Sequence, residues 1–448
     1  MNQSKLLFWS ITVALAGFLF GFDTVVISGA EKTLSEMWGG YTLFGNSAWF
    51  HGVVVMSSAL WGTVIGAVFG NIPTDKLGRK KTLIVIGFLY VIGALGSAVV
   101  SNPYLFAFFR FIGGLGIGAS TIAAPAYVSE IAPAEKRGRL VALYQFNIVF
   151  GILMAYLSNT LIAGMGLGEN TWRWMLGIQV IPSVIYTLMV LAVPMSPVWL
   201  AMKGRYEEAR AVLQQVNPNA DINEIISAAQ ADRKQTQESL WLPKYRKPVL
   251  LAFLLAMFNQ LSGINAFLYY APRIFEMAHL EQSAALWSSV GIGIVNLVFT
   301  FVGLSLIDKL GRRQLMYIGS FGYILSLGLV SAAFFMNWPG MVVVFFFFLF
   351  IAAHAIGQGT VIWVFISEIF PNHLRAQGQA LGSSTHWVLA AAIPAMIPFL
   401  FKEIGAGIVF AGFTAMMVLQ LLFVMFMMPE TKGVPLEELS KSLIKEDA

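Results

Sequence analysis

The stretch Asp75-Lys76-Leu77-Gly78-Arg79-Lys80 returns in the second half of the chain as Asp308-Lys309-Leu310-Gly311-Arg312-Arg313. A second pair agrees with the first: Ser129-Glu130-Ile131-Ala132-Pro133 followed by Arg137, and Ser367-Glu368-Ile369-Phe370-Pro371 followed by Arg375. The interval from Asp75 to Glu130 is 55 residues and from Asp308 to Glu368 is 60. Such spacing makes the repeated unit a set of several helices, and the halves read as copies.

Each motif lies between apolar runs of about 20 residues, the length that crosses a bilayer as a helix. Twelve such runs are expected, at 7–30, 49–71, 82–100, 103–127, 140–162, 173–195, 247–275, 285–307, 314–336, 341–367, 377–401 and 405–428. The first contains Asp23 and precedes eleven more, so it is not expected to be a cleaved signal peptide. The fold class is therefore an all-α membrane protein with twelve transmembrane helices in two pseudo-symmetric six-helix bundles. The expected division is an N-terminal bundle (1–195), a cytoplasmic linker with short amphipathic helices (196–246), a C-terminal bundle (247–428) and a cytoplasmic tail (429–448).

Composition agrees. Of 448 residues, 57% are apolar and 11% charged, against about 45–50% and about 25% in soluble domains. A water-soluble enzyme is excluded, and a net charge of +5 leaves no large basic surface for nucleic acid. Cysteine is absent, which removes disulfides, thiol catalysis and Cys-based metal sites. With five scattered histidines and no His-Glu-x-x-His, neither a metal site nor a catalytic constellation is expected.

The positive charge marks sidedness. Placing both ends and the central segment on one side assigns 23 of the 28 Lys and Arg residues to it. The other face keeps Lys32, Arg173, Arg273 and Lys402, while Arg110 lies within a span. By the positive-inside rule both termini and the linker are expected in the cytoplasm. Duplicated bundles working about a midplane site are the architecture of secondary transporters.

Beyond the paired loops, Arg137-Gly138-Arg139, Asn259-Gln260-Leu261-Ser262-Gly263-Ile264-Asn265 and Pro429-Glu430-Thr431-Lys432-Gly433 resemble the sugar porter family of the major facilitator superfamily over nearly the whole chain. The family resemblance implies the inner membrane of a bacterium. One departure is Pro194-Met195-Ser196-Pro197-Val198, where that family usually carries Pro-Glu-Ser-Pro-Arg. The departure is expected to weaken one cytoplasmic salt-bridge contact.

Ionisable residues inside spans cost about 2.5–3.5 kcal/mol each on insertion scales and default to functional roles. Asp23 and Arg110 are the clearest, and are either a structural ion pair or a proton switch. Burial favours the neutral form of a carboxyl group and a nearby guanidinium the charged form. A movement that lengthened their contact would make Asp23 take up a proton. The resemblance implies the switch, because proton-coupled sugar porters carry Asp in the first-span motif, here Gly21-Phe22-Asp23-Thr24-Val25-Val26-Ile27-Ser28-Gly29, where passive facilitators commonly carry Asn.

A sugar requires amides and hydroxyls for its hydroxyl groups and aromatic faces for its C–H surfaces. Gln145, Asn259, Gln260, Asn265, Asn296 and Gln358 are polar candidates within spans, and Trp363 and Trp387 supply rings. Singly, each could instead be an interhelical hydrogen bond worth about 0.6 kcal/mol. The resemblance places sugar ligands at Gln145, Gln260, Asn265, Asn296 and Trp387. Asn259, Gln358 and His386 depart from its glucose and xylose members, and His386 beside Trp387 resembles fructose-type members.

Asp75, Arg79, Glu130 and Arg137, with Asp308, Arg312, Glu368 and Arg375, are expected to form inter-helix salt bridges at the cytoplasmic mouth. Asp and Glu contribute little to orientation, so the carboxylates argue for a latch beyond topogenic charge. Gly62, Gly66 and Gly70, like Gly17 and Gly21, repeat at four-residue spacing and mark close helix contacts. Gly114-Leu115-Gly116-Ile117-Gly118 lies in an apolar span with no Gly-Lys-Ser/Thr anywhere, so no nucleotide site is expected.

The expected function is import of a monosaccharide, hexose or pentose, with a proton by alternating access. No cofactor is expected beyond the proton as coupling ion, and the expected state is a monomer whose partners are sugar, protons and the lipid bilayer. A passive facilitator is the alternative. A sugar sensor is disfavoured, since only about twenty residues follow the last span where a long signalling tail is expected.

Overall fold

The computed structural model describes residues 3–216, 223, 238–434, 439 and 442–444, without the side chains of Gln3, Ala134, Glu135, Arg137, Gly138, Val141 and Asn372. Among the described residues there are helices and no strand, only an isolated bridge between Leu43 and Asn46. Among the described residues eleven helical segments are long and apolar enough to cross a membrane, and a bent pair, Ser47–Met56 with Ser58–Phe69, makes twelve if counted as one span. Span one is Gln3–Met37, spans three to five are Arg79–Val99, Pro103–Ile131 and Ala134–Ala163, and span six is Thr171–Gly177 with Val180–Leu191. Span seven is Arg246–Leu261 with Ile264–Met277, and spans eight and nine are Gln282–Leu310 and Arg312–Met336. Span ten is Gly340–Ile356 with Gln358–Ile369, and spans eleven and twelve are Arg375–Glu403 and Ala406–Phe426. Large apolar side chains such as Phe88, Phe108, Leu188, Phe321 and Phe345 are exposed along these helices, which suits a surrounding of lipid.

Several spans are not the straight rods that hydropathy suggests. Span one continues seven residues past the expected end at residue 30. Span two passes from an α-helical turn, Ser47–Phe50, into a π-helix over His51–Met56 and bends by 43° where it meets Ser58–Phe69. Span seven breaks at Gly263, whose φ of +80° lies in the left-handed region that costs glycine least, and span ten breaks at Gly357. Irregular backbone at membrane depth is tolerated only where protein or a cavity satisfies it.

Two compact units make up the chain: Met1–Ala30 with Ser58–Thr236, and Glu31–Ser57 with Gln237–Ala448. This division departs from the expected 1–195 and 247–428 at one place. Residues 31–57, the end of span one and the start of span two, belong with the second unit, where Lys32 Nζ donates to Glu276 and the Trp49 ring stacks on that of Phe399 at 4.7 Å. Helix Tyr206–Val216 belongs to the first unit, where Ala209, Val212 and Val216 join its core.

In the first unit spans two and four meet along a seam with no room for a methyl group. A Cβ on Gly62 would lie 2.2 Å from the Phe111 carbonyl oxygen, one on Gly66 2.4 Å from that of Leu115, one on Gly114 1.9 Å from that of Ala59, and one on Gly118 2.2 Å from that of Thr63. The Gly114–Gly118 run is thus the second half of a helix-packing face. Spans one and five meet in the same way, with Gly17 and Gly21 against the Tyr144 and Ile148 carbonyls. In the second unit the core is aromatic: Phe267 stacks on Phe347 at 4.0 Å, with Phe275, Phe350 and Phe410 edge-on around them.

The central segment rejoins the second unit through Glu238. Its carboxylate accepts from Lys244, from Tyr245 Oη at 2.7 Å and is paired with His373 Nε2 at 2.9 Å. Hydrogen bonds from Lys244, then from Tyr245 and His373, pull the Glu238 carboxyl down to about 2. The contribution of this tie is complete above the ordinary carboxylate range and is lost only as pH falls through about 2.

Candidate functional site

The first unit buries one ion pair. Arg110 Nη1 donates to Asp23 Oδ1 at 2.7 Å and Nη2 to the Asp23 backbone oxygen at 3.2 Å, with Asp23 2% and Arg110 3% exposed. Asp23 Oδ2 and Arg110 Nε have no hydrogen-bond partner among the described residues. The contact is single-pointed, where a carboxylate and a guanidinium could have formed the stronger two-pronged arrangement. Gln145, expected among the sugar ligands, is half-buried on span five of this unit.

The second unit holds a cluster of amides around the breaks in spans seven and ten. Asn265 Nδ2 donates to Gln260 Oε1 at 2.8 Å, Gln260 Nε2 to Asn259 Oδ1 at 2.9 Å, and Asn259 Nδ2 to Gln358 Oε1 at 3.4 Å. Gln260 Nε2 also lies 3.2 Å from His386 Nδ1. The His386 ring sits 5.3 Å from that of Trp363 and edge-on to that of Trp387 at 4.9 Å. The cluster thus joins Asn259, Gln260, Asn265, Gln358, His386, Trp363 and Trp387. Asn296 is buried on span eight, and no hydrogen bond ties it to the cluster among the described residues. Amide donors and acceptors beside indole faces are the chemistry that recognises a polyhydroxylated ring.

The charged motifs close within each unit. Arg79 donates through Nε to Glu130 Oε1 at 2.9 Å and through Nη1 to Asp75 Oδ1 at 3.1 Å, and Ser196 Oγ donates to the other Glu130 oxygen. In the second unit Arg312 grips Glu368 with two bonds of 3.0 and 2.7 Å and reaches Asp308 at 3.4 Å, while Thr431 Oγ1 donates to Glu368 at 2.6 Å. Arg375 opens span eleven, half-buried; the Arg137 side chain lies outside the described residues.

The repeat breaks down at one atom group. Glu430 accepts from the backbone N–H groups of Arg312 and Arg313, both at 3.0 Å, so a carboxylate caps the start of span nine. At the start of span three the corresponding residue is Met195, with Cε 3.1 Å from where a Cβ on Gly78 would lie. A carboxylate at a helix N-terminus stabilises by about 0.5–2 kcal/mol. Met195→Glu is therefore expected to raise the unfolding temperature of the purified protein. A fall would show that repulsion from Glu130 and Asp75 outweighs the cap.

Sequence reasoning missed a second buried pair. Glu31 Oε1 lies 2.9 Å from His51 Nε2, each residue 5% exposed, and next to it Lys32 Nζ donates to Glu276 Oε2 at 2.8 Å. The expected span one ends at residue 30, which leaves Glu31 and Lys32 outside it. Only the positions of His51 and Glu276, distant in sequence, reveal why the helix runs on. Gln420 and Ser320, which extend the amide cluster, were also missed, as was Asn159, whose Nδ2 donates to the Val26 oxygen at 2.9 Å.

A duplicated membrane bundle with a buried carboxylate–guanidinium pair in one unit and an amide cluster flanked by rings in the other defines a secondary transporter of the major facilitator fold. The chain belongs to the sugar (and other) transporter family, whose model matches residues 9–443. It is 35% identical over 445 residues to the arabinose-proton symporter of Bacillus subtilis (strain 168), covering 97% of this chain and 94% of that protein. It is 32% identical to the D-xylose-proton symporter of Escherichia coli (strain K12), covering 98% and 96% of the two. Among solved structures, the inward open conformation of the xylose transporter XylE from E. coli is similar with a TM-score of 0.86 at 30% identity, over 97% of this chain and 99% of that one. XylE bound to 6-bromo-6-deoxy-D-glucose is similar with a TM-score of 0.81 at 30% identity, over 99% and 100%.

Proposed function

We propose that this protein imports a monosaccharide, hexose or pentose, together with a proton by alternating access. The observation that carries the reading is the Asp23–Arg110 pair, buried and held through one carboxylate oxygen. An ion pair in low dielectric is stable only while both partners meet, and removing one partner costs about 3–5 kcal/mol. A helix displacement that withdraws Arg110 therefore drives Asp23 to take a proton, and its return expels the proton. In this reading the sugar is bound by Gln260, Asn265, Asn259 and Gln358, with Gln145 and Asn296, and lies against Trp387, Trp363 and His386. The relatives named above are symporters of arabinose and xylose, which supports a sugar of this class.

The remaining assignments complete the proposal. The face carrying Asp75, Arg79, Glu130, Asp308, Arg312 and Glu368 is cytoplasmic, with both termini on that side, and the salt bridges there are a latch. The protein works as a monomer in a bacterial inner membrane with the proton as coupling ion and no further cofactor. The test is uptake of a panel of labelled pentoses and hexoses into vesicles carrying the purified protein under an imposed pH gradient. Accumulation of one sugar above equilibrium, with alkalinisation of the medium on sugar addition, is expected. Equilibration without accumulation would make the protein a passive facilitator, and no uptake of any sugar would end the sugar reading.

A further inference from the structure

Two residues of the second unit, Gln420 on span twelve and Ser320 on span nine, lengthen the amide cluster away from the rings. Gln358 Nε2 donates to Gln420 Oε1 at 2.8 Å, and Gln420 Nε2 donates to Ser320 Oγ at 2.8 Å. Both are fully buried, as is Gln358. Asn265, Gln260, Asn259, Gln358, Gln420 and Ser320 thus form one chain across spans seven, ten, twelve and nine.

Every link in this chain runs in the same sense. Each amide receives a hydrogen bond on its oxygen from the residue before it and gives one from its nitrogen to the residue after it, from Asn265 to Ser320. An amide can be turned end for end at almost no cost in shape, so something must choose the sense. A hydroxyl cannot choose it, because Ser320 Oγ is able both to donate and to accept. The backbone carbonyl of Leu255 can only accept, and Gln358 Nε2 points to it at 3.4 Å. Turning Gln358 over would set its oxygen against the Leu255 carbonyl, whichever way Gln420 is turned. Its nitrogen is therefore held on that side and its oxygen faces Asn259. Asn259 must then present its nitrogen to Gln358 and its oxygen to Gln260, and Gln260 must present its oxygen to Asn265. Hydrogen bonds arranged head to tail also polarise one another.

We infer that Gln420 is a positioning residue: its 2.8 Å bond holds Gln358 against the Leu255 carbonyl, which sets the sense of the chain and so which atoms Gln260 and Asn265 offer to the substrate. This rests on the sugar reading of the amide cluster. With the sense fixed, Gln260 has one nitrogen proton directed to Asn259 and its nitrogen beside His386, leaving a lone pair on Oε1. Asn265 keeps both lone pairs on Oδ1 and one N–H. The free capacity is mostly acceptor, so this end of the site takes sugar hydroxyls as donors. A sugar with adjacent hydroxyls able to donate together fits it, and a deoxy analogue at either position leaves an acceptor unpaired.

The test uses the full-length protein in vesicles, with binding titrations and competition by a panel of pentoses, hexoses and their deoxy analogues. Gln420→Met keeps length and volume but cannot accept from Gln358. It is expected to lower affinity for the preferred sugar about tenfold, the equivalent of about 1.4 kcal/mol, to reorder the panel by reducing discrimination against the deoxy analogues, and to leave the proton-to-sugar ratio unchanged. Gln420→Glu, whose buried carboxyl group stays protonated in low dielectric, accepts from Gln358 and donates to Ser320, and is expected to restore the wild-type ranking. If Gln420→Met does not fold, the double variant Ser320→Ala/Gln420→Met removes both partners together and carries the same expectation. Wild-type ranking in folded Gln420→Met or in the folded double variant overturns the positioning role. A wild-type protein that binds no sugar overturns the sugar reading and this inference together, while sugar binding with an unmoved ranking overturns this inference alone.

Discussion

Asp23→Asn is expected to bind sugar and exchange it across the membrane at a rate near that of the wild type, while losing all accumulation driven by a pH gradient or membrane potential. The amide is a fixed likeness of the protonated carboxyl group, so the carrier no longer meets the cost of an unpaired carboxylate when Arg110 withdraws. Exchange needs only that the loaded carrier can turn over. Accumulation needs a proton to move with each sugar, because the potential supplies about 2.3 kcal/mol per charge per 100 mV, equivalent to roughly fifty-fold in sugar concentration. The measurements are labelled-sugar exchange at equal concentrations and uptake against a gradient. Unchanged gradient dependence in Asp23→Asn would make Asp23 a structural residue.

Gln260→Ala and Asn265→Ala are each expected to reduce sugar binding below detection while leaving a folded, purifiable protein. Gln260 is 1% exposed and makes hydrogen bonds on both sides, so its truncation removes a ligand and also unties Asn259 from Asn265. Buried polar groups left unpaired cost about 1–3 kcal/mol each, and those losses add to the missing contact with substrate. A site built to pair hydroxyls discriminates by 10⁴ or more when pairing fails, far beyond what an apolar pocket achieves. Binding is read by titration of the purified variants, and wild-type affinity in either would remove the amide cluster from the sugar site.

What was legible in the sequence follows from what acts locally. Apolar runs and the charges between them report a cost that each residue meets alone, the transfer of its side chain into hydrocarbon, and so the spans and the paired loops could be read. The seam glycines could be read too, because small residues at four-residue spacing are visible on one helix. Partners distant in the chain could not. Glu31 falls just past the expected end of span one, and only His51, 2.9 Å away in the fold, shows why the helix runs through it. Gln420 was one amide in an apolar run, and its role depends on Gln358 and Ser320, 62 and 100 residues distant. The break at Gly263 was hidden because Ser262-Gly263 interrupts the apolar pattern too briefly to show, although the left-handed backbone there sets Asn265 against Gln260. Met195 shows the converse: its departure from Pro-Glu-Ser-Pro-Arg was plain, but the atoms it leaves uncapped appear only when Glu430 is seen on the matching helix.

The glycine seam between spans two and four has a consequence for how the chain is made. Gly62 and Gly66 meet residues 111–119, which a ribosome adds about fifty residues later. At about 5–20 residues per second that is a wait of roughly 3–10 seconds. Through that interval the grooved face of span two lacks the helix that fills it in the finished fold. Span three must enter first without filling the groove, and span four then arrives with glycines that match it. Span three has a close-approach glycine of its own, Gly93, but that one is matched to Gly113 of span four, so both earlier helices wait for the same partner.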